Sequence, residues 1–301
     1  MSIFAATTVS SALACRVVGT SYQLARHVFP PVVRIETTNA CNARCVICPH
    51  RQMKRKVQRM SDSLFASLID QCAENGCGEV HLHNFGEPLL DRTLPERIAY
   101  AKHRGIRKVK IFSNGSLLNE NVARALIEAG LDELKISIDG ATKEEFERIR
   151  SPLRFDQVVS NVKRVVALRD ALRSDMRVVV ACCSTSDKTA TLRCLERTVD
   201  HFSFGKIHNW AGGHESSPQW GKRKTRKPCA RLWRTFTVLA GGEVALCCLD
   251  YDGQHVLGRI APKTSIRETW RSEAYAEVRR KHLRGQQDQI PLCRACSMSF
   301  F

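Results

Sequence analysis

With 301 residues, 43% of them hydrophobic and 26% charged, the chain is long enough to bury a large core, which excludes a fibrous or disordered protein. No run of about 18 uncharged apolar residues occurs, so no membrane span is expected. The net charge of +17 favours anionic partners, but its Lys and Arg residues are scattered. Only Lys222 to Lys227 forms a compact run, which reads as a solvated linker, and a nucleic-acid partner is not expected.

Residues 1–30 read as an N-terminal extension. Positions 2–15 are mildly apolar, lack a basic leading segment and are followed by Arg16, which fits a helix or arm better than a secretory signal. Fourteen cysteines without such a signal favour metal or redox use over disulfides, and a cytoplasmic location is the expectation. From residue 31 onward β-rich runs alternate with amphipathic ones. Strands are predicted at Val32–Ile35, Val80–His83, Val109–Phe112, Leu134–Ile138, Arg177–Ala181 and Lys206–His208. Helices are predicted at Ser61–Glu74, Leu94–His103, Asn119–Ala129, Thr142–Arg150, Phe155–Ser174 and Lys188–His201. Ser61 and Asn119 suit N-caps, and Gly130 follows its helix as a C-cap residue should. Six βα alternations imply a parallel sheet with helices outside. Closure would need eight strands, so the expected fold is α/β, a partial (βα)6 TIM-like barrel over residues 31–217.

The alternation stops near Trp210. A Pro-, Gly- and Lys-rich linker, 218–228, then leads to a small cysteine-rich C-terminal domain, 229–301. There a hairpin is predicted from Phe236–Leu239 and Val244–Cys248, turned at Gly241-Gly242, with short helices at Ser265–Trp270 and Glu273–Leu283. So small a piece is expected to lean on a metal centre for stability.

The most informative segment is Asn39-Ala40-Cys41-Asn42-Ala43-Arg44-Cys45-Val46-Ile47-Cys48. It places three thiols on one loop directly after the first strand. Such spacing lets a single loop wrap three corners of an iron–sulfur cubane, which thiolates normally hold in fours. Three leave one iron open, and an open coordination position is where a metal centre binds a reactant. The alternative is a structural zinc loop with His50 as fourth ligand. Farther on, Cys229, Cys247, Cys293 and Cys296 form a four-thiol set, for which spacing alone does not separate zinc from iron–sulfur. Most other cysteines read as small buried hydrophobes. His81 and His83 share one face of the second strand, and Trp210 either packs in the core or floors a cavity.

Cys-x3-Cys-x2-Cys after the first strand resembles the signature of the radical S-adenosylmethionine (radical SAM) superfamily, and the resemblance extends over roughly residues 31–212. It implies that Cys41, Cys45 and Cys48 hold a [4Fe–4S] cluster whose open iron chelates S-adenosylmethionine (AdoMet). AdoMet is then cleaved with one electron from an external donor such as flavodoxin or ferredoxin. Gly86-Glu87-Pro88 resembles the family's Gly-Gly-Glu-Pro segment at the methionine amino group, with Phe85 in place of the first glycine. Ser113 and Asn114 end the third strand and Ser137 and Asp139 the fourth, where the family approaches ribose and carboxylate. Ile47 matches the residue near adenine, where an aromatic is commoner.

The four C-terminal cysteines resemble the twitch domain, the shortened relative of SPASM, and imply a second, auxiliary [4Fe–4S] cluster. The resemblance implies an oxidoreductase that dehydrogenates a polar small molecule such as a sugar or aminocyclitol, with the auxiliary cluster as electron acceptor. Two alternatives belong to the same superfamily. One is a peptide- or protein-modifying maturase, and the other is an epimerase in which Cys248 or Cys183 returns a hydrogen atom. Outside the superfamily, a non-catalytic RNA-binding protein is supported only by charge.

Overall fold

The structure, a computed structural model, describes residues 17–22, 28–140, 142–182, 193, 195, 197–205, 207, 209–212, 226–261 and 263–297. In chain order its elements are β1 (Val32–Ile35), α1 (Asp62–Glu74), β2 (Glu79–His81), α2 (Leu94–His103), β3 (Lys108–Ser113) and α3 (Glu120–Glu128). They continue with β4 (Glu133–Ser137), α4 (Lys143–Ile149), α5 (Phe155–Ala171), β5 (Arg177–Cys182), β6 (His201–Phe204) and α6 (Arg231–Arg234). The last are β7 (Thr235–Val238), β8 (Glu243–Ala245), β9 (Val256–Arg259), α7 (Ile266–Arg271), α8 (Glu273–Leu283) and α9 (Pro291–Arg294). All nine strands join one sheet in the order β6-β5-β4-β3-β2-β1-β7-β8-β9, parallel from β6 to β7 and antiparallel beyond. The barrel is therefore partial and open.

Alternation along the strands sorts the two faces. Val33, Val80, Val109, Ile111, Leu134, Ile136 and Val178 are fully buried together with Leu68, Ile98 and Val162 of the helices, in one continuous apolar core. The other face is charged, which is unusual for a parallel sheet, whose strands normally read apolar on both faces. Lys108 pairs there with Glu133 at 2.8 Å and Lys110 with Glu79 at 2.6 Å. Helix starts form as their sequences require: Ser61 accepts from the Leu64 amide at 3.3 Å and Asn119 from the Val122 amide at 3.0 Å.

Three of the expected elements differ in place, lie partly outside the described residues or gain a pairing partner. A sixth strand lies at His201–Phe204, where the β-favouring pair Phe202 and Phe204 aligns with Val180 and Cys182 of β5; of the expected Lys206–His208, Lys206 and His208 lie outside the described residues. The helix expected over Lys188–His201 falls largely outside the described residues, and His201 itself opens β6. Finally, the expected C-terminal hairpin forms and also joins the barrel sheet. β7 pairs in parallel with β1, Val32 against Thr235 through Ile35 against Val238, and so covers what would be an exposed edge of the barrel. What stands apart is a small core of Leu232, Trp233, Leu246 and Ile290.

Candidate active site

The C-terminal ends of the barrel strands open on a cavity of about 330 Å³. Cys41, Cys45, Ile47 and Cys48 from the loop after β1 reach it, as do Gly86 and Glu87 after β2, Ser113 and Asn114 at the end of β3, and Ser137 at the end of β4. Trp210, Arg231 and Cys248 contribute from the C-terminal side. Of the residues expected at the cofactor, all but Asp139 lie on this wall.

The cysteine loop is held from behind by backbone. The buried Asn39 side chain donates to the Lys56 carbonyl at 2.9 Å and accepts from the Gln58 amide at 2.7 Å, while His50 Nε2 donates to the Asn39 carbonyl at 2.7 Å. The Glu87 amide donates to the Ala40 carbonyl at 2.7 Å. That approach requires glycine at position 86: φ is +94°, and a Cβ would lie 2.7 Å from the carbonyl oxygens of both Thr38 and Ala40. Gly86→Ala is expected to cost about 1–3 kcal/mol. Thermal melting of the variant should fall by several degrees and its reconstituted iron should drop. Unchanged melting and iron would show that the loop tolerates the displacement.

Glu87 ties the strand ends together. Its carboxyl accepts from Ser113 Oγ at 2.8 Å and from the Leu89 and Asn114 amides at 3.1 and 2.7 Å. Burial nevertheless pushes it up to about 7, those hydrogen bonds opposing the rise. Asn114 donates to Asn42 Oδ1 at 2.8 Å, and Asn42 donates to Ser116 Oγ at 2.9 Å, linking β3 to the cysteine loop. The departure from the family at Phe85 has a partner: its ring packs 5.4 Å from that of Trp210, whose indole N–H donates to the Ile47 carbonyl at 2.7 Å. Trp210 thus forms part of the cavity wall.

Asp139 does not contact the cavity. It is fully buried and paired with Arg150, whose Nε donates to it at 2.7 Å. Arg150 is the group that faces the cavity, with Nη1 3.9 Å from Cys45 Sγ. Sequence reasoning missed it because an arginine at the end of a short helix looks like an ordinary C-terminal charge. Arg150→Leu leaves a carboxylate buried without its counter-ion and is expected to cost about 3–5 kcal/mol in urea unfolding. A much smaller loss would mean that the pair is solvated. His83 also lines the cavity, and its ring stacks 5.5 Å from that of His81. Burial holds both rings neutral, His81 down at about 4 and His83 well below its usual value.

A second, smaller pocket collects Cys229, Cys247, Cys293 and Cys296 among Leu232, Leu246 and Leu292. Arg226 steadies its rim by donating to the carbonyls of Cys293 and Arg294, both at 2.9 Å. Arg231 lines both pockets and donates to Cys247 Sγ at 3.9 Å, while the neighbouring Cys248 lies in the larger cavity. Burial pushes Cys41 up to about 11 and Cys48 and Cys293 up to about 12, so thiolates at either site need a cationic centre to hold their charge. Among the described residues no three His, Cys, Asp or Glu side chains converge closely enough for a single metal ion. A tetrahedral zinc would bring its sulfurs within about 3.8 Å of one another. Four thiols around one pocket are the number of ligands a [4Fe–4S] cluster takes. Cys182 is buried at the end of β5, and Cys183 lies outside the described residues.

Fold and site together define a radical SAM enzyme. The radical SAM superfamily profile matches residues 35–181, and that of the iron–sulfur cluster-binding SPASM domain matches residues 229–297. The chain belongs to this superfamily, carries a SPASM-type domain, and has AdoMet and two [4Fe–4S] clusters as its cofactors. The AdoMet-dependent 2-deoxy-scyllo-inosamine dehydrogenase of Niallia circulans is 23% identical over 269 residues, 88% of this chain and 92% of that one. The GTP 3′,8-cyclase of Chlorobaculum tepidum is 37% identical over 136 residues, but the match spans only 45% of this chain and 41% of the cyclase. Among solved structures, BtrN in complex with AdoMet and 2-DOIA superposes with a TM-score of 0.64 at 18% identity, over 89% of this chain and 92% of that one. Streptococcus suis SuiB bound to precursor peptide SuiA gives 0.70 at 13% identity, over 88% and 70%. These likenesses establish the fold. Among the described residues no helix is long and apolar enough to cross a membrane.

Proposed function

We propose that the protein is a radical SAM dehydrogenase acting on a polar small molecule such as a sugar or aminocyclitol. Cys41, Cys45 and Cys48 hold the AdoMet-binding cluster on the barrel, residues 31–217. Beyond the linker 218–228, Cys229, Cys247, Cys293 and Cys296 of the region 229–301 hold the auxiliary one. Together these groups supply one-electron cleavage of AdoMet, hydrogen abstraction from substrate and an acceptor for one further electron.

The observation that carries this reading is the adjacency of the two sites: Cys247 and Cys248 are consecutive yet line different pockets, and Arg231 lines both. A substrate radical in the larger cavity therefore sits beside the four-thiol set, where the electron it must lose has a short way out. The protein's own residues bind and orient. Glu87 and Arg150 face the polar end of AdoMet, Ser113, Asn114 and Ser137 its ribose and carboxylate, and Ile47 its adenine, while Phe85, Phe112 and Leu249 keep water from the reacting carbon. The full-length match to a dehydrogenase of an aminocyclitol supports the same reading. An external one-electron donor such as flavodoxin or ferredoxin is the partner, in the reducing cytoplasm.

The test is turnover of a polyol deuterated at its carbinol carbon by anaerobically reconstituted protein with AdoMet and dithionite. Deuterated 5′-deoxyadenosine and ketone should appear in equal amounts; 5′-deoxyadenosine without ketone for every polyol tried overturns the reading. A second reading, epimerisation, is favoured by the position of Cys248 on the cavity wall. It requires that product formed in deuterated water carry one solvent deuterium and that Cys248→Ala abolish product.

A further inference from the structure

Deeper than the cofactor-facing rim, the cavity wall reaches the inner face of the sheet at Arg34 of β1 and His83. Arg34 is aligned across the sheet with His81, Lys110 and Glu133. Glu133 precedes Ser137 by four residues along β4. At about 3.3 Å per residue, this row lies about 13 Å below the end of β4, while on its own strand Arg34 is one residue from the end of β1. Arg150, beside Cys45, is at the opposite, cluster end.

The charges on this inner face do not balance. Its two carboxylates, Glu79 and Glu133, are engaged by Lys110 and Lys108, at 2.6 and 2.8 Å. Glu36, just beyond β1, is held by Arg55 at 2.8 and 2.9 Å. Arg34 and Lys135 remain. Arg34 contacts a ring nitrogen of the neutral His81 at 3.3 Å, makes no ion pair among the described residues, and its Nε is buried without a hydrogen-bond partner. Lys135 has no carboxylate partner among the described residues either, and its Nζ lies 5.1 Å from the Phe112 ring on the cavity wall. Two further polar atoms of the same wall, His83 Nδ1 and Asn84 Nδ2, are buried and bare. Leaving a buried polar atom bare is costly, and a half-buried cation without a counter-ion adds to that cost. Such a cluster persists at the floor of a cavity when a ligand satisfies it.

We propose that Arg34, with His83 and Asn84, binds an anionic group of the substrate, a carboxylate or a phosphate ester, with the charge of Lys135 behind it. The substrate is then an acidic polyol, a sugar acid or sugar phosphate, and not a cationic aminocyclitol. That the substrate is a polyol rests on the dehydrogenase reading above, whereas its anionic group rests on Arg34, His83, Asn84 and Lys135.

The test measures binding without reductant, so that it is independent of turnover. Reconstituted holoprotein with AdoMet is titrated calorimetrically with D-glucuronate, D-glucose 6-phosphate, D-glucose and D-glucosamine. At least one of the two anions should bind about tenfold or more tighter than glucose, with glucosamine weakest, and the preferred anion tells carboxylate from phosphate. Arg34→Gln should lose about tenfold for that anion while Arg34→Lys retains most of it, both variants keeping AdoMet affinity within about twofold and a native circular dichroism spectrum. Anions that bind no tighter than glucose, or not at all, overturn the proposal. So does an Arg34→Gln protein that loses AdoMet affinity by the same factor, since Arg34 would then serve the cofactor. Failure of the dehydrogenase reading has a different signature: an anion that binds through Arg34 and yields no ketone under reducing conditions.

Discussion

Protein in which Cys41, Cys45 and Cys48 are all replaced by alanine should form no 5′-deoxyadenosine above the enzyme-free background, and its iron should fall from about eight to about four per chain. The three thiols come from one loop whose path is set by other groups, namely the Asn39 amide, the His50 ring and the close approach at Gly86. Their removal therefore deletes ligands while leaving the loop's supports in place. Circular dichroism should remain native, and the spectrum of the remaining iron should be that of the other site. A folded triple variant that still cleaves AdoMet would place the reactive iron elsewhere in the chain.

The second large effect is an uncoupling. Cys293→Ala with Cys296→Ala should leave 5′-deoxyadenosine formation within a few-fold of the parent while ketone falls by about a hundredfold or more. A carbinol radical becomes a ketone only by giving up one electron and one proton, and the four-thiol pocket next to the cavity is where the proposed acceptor sits. A metal that only stabilised the fold would behave differently, because its loss would depress both activities together. Folding of the region can be checked directly. Tyr22 stacks on Trp233 at 5.3 Å, and Trp233 belongs to the small core with Leu232, Leu246 and Ile290, so near-ultraviolet dichroism should report collapse there. A well-folded double variant that makes ketone at the parental rate would leave the second site structural.

What could be read in the sequence was local. The helix starts at Ser61 and Asn119, the spacing of Cys41, Cys45 and Cys48 and the shared face of His81 and His83 each depend on residues a few positions apart; the helix starts and the shared face formed as expected, and the three thiols line one cavity. What could not be read depends on distant partners. Nothing near residue 235 says that β7 will lie against β1, since a hairpin has the same alternation whichever edge it joins. β9 was hidden by Gly258, a weak strand former that is needed because a Cβ would come within 2.7 Å of Thr269. Arg150 acquires its place only when α4 brings it onto Asp139. Arg34 reads in sequence as the solvent side of an alternating strand, and only curvature of the sheet makes that side an interior.

The pairing of β7 with β1 bears on how the protein can be cut and recombined. β1 runs directly into the loop of Cys41, Cys45 and Cys48, and the hairpin that begins with β7 runs into Cys247, so the two halves share backbone hydrogen bonds rather than meeting across a hinge. The separation of the two sites is then set when the sheet folds, and the electron loss proposed above needs no domain closure before it. A fragment ending at residue 228 would strip one neighbour from the strand that carries the reactive loop, exposing the unpaired amides and carbonyls of Val32–Ile35 to other chains. The C-terminal region is accordingly no detachable cassette: grafting a relative's version onto this barrel would require its first strand to match β1 in register, residue by residue.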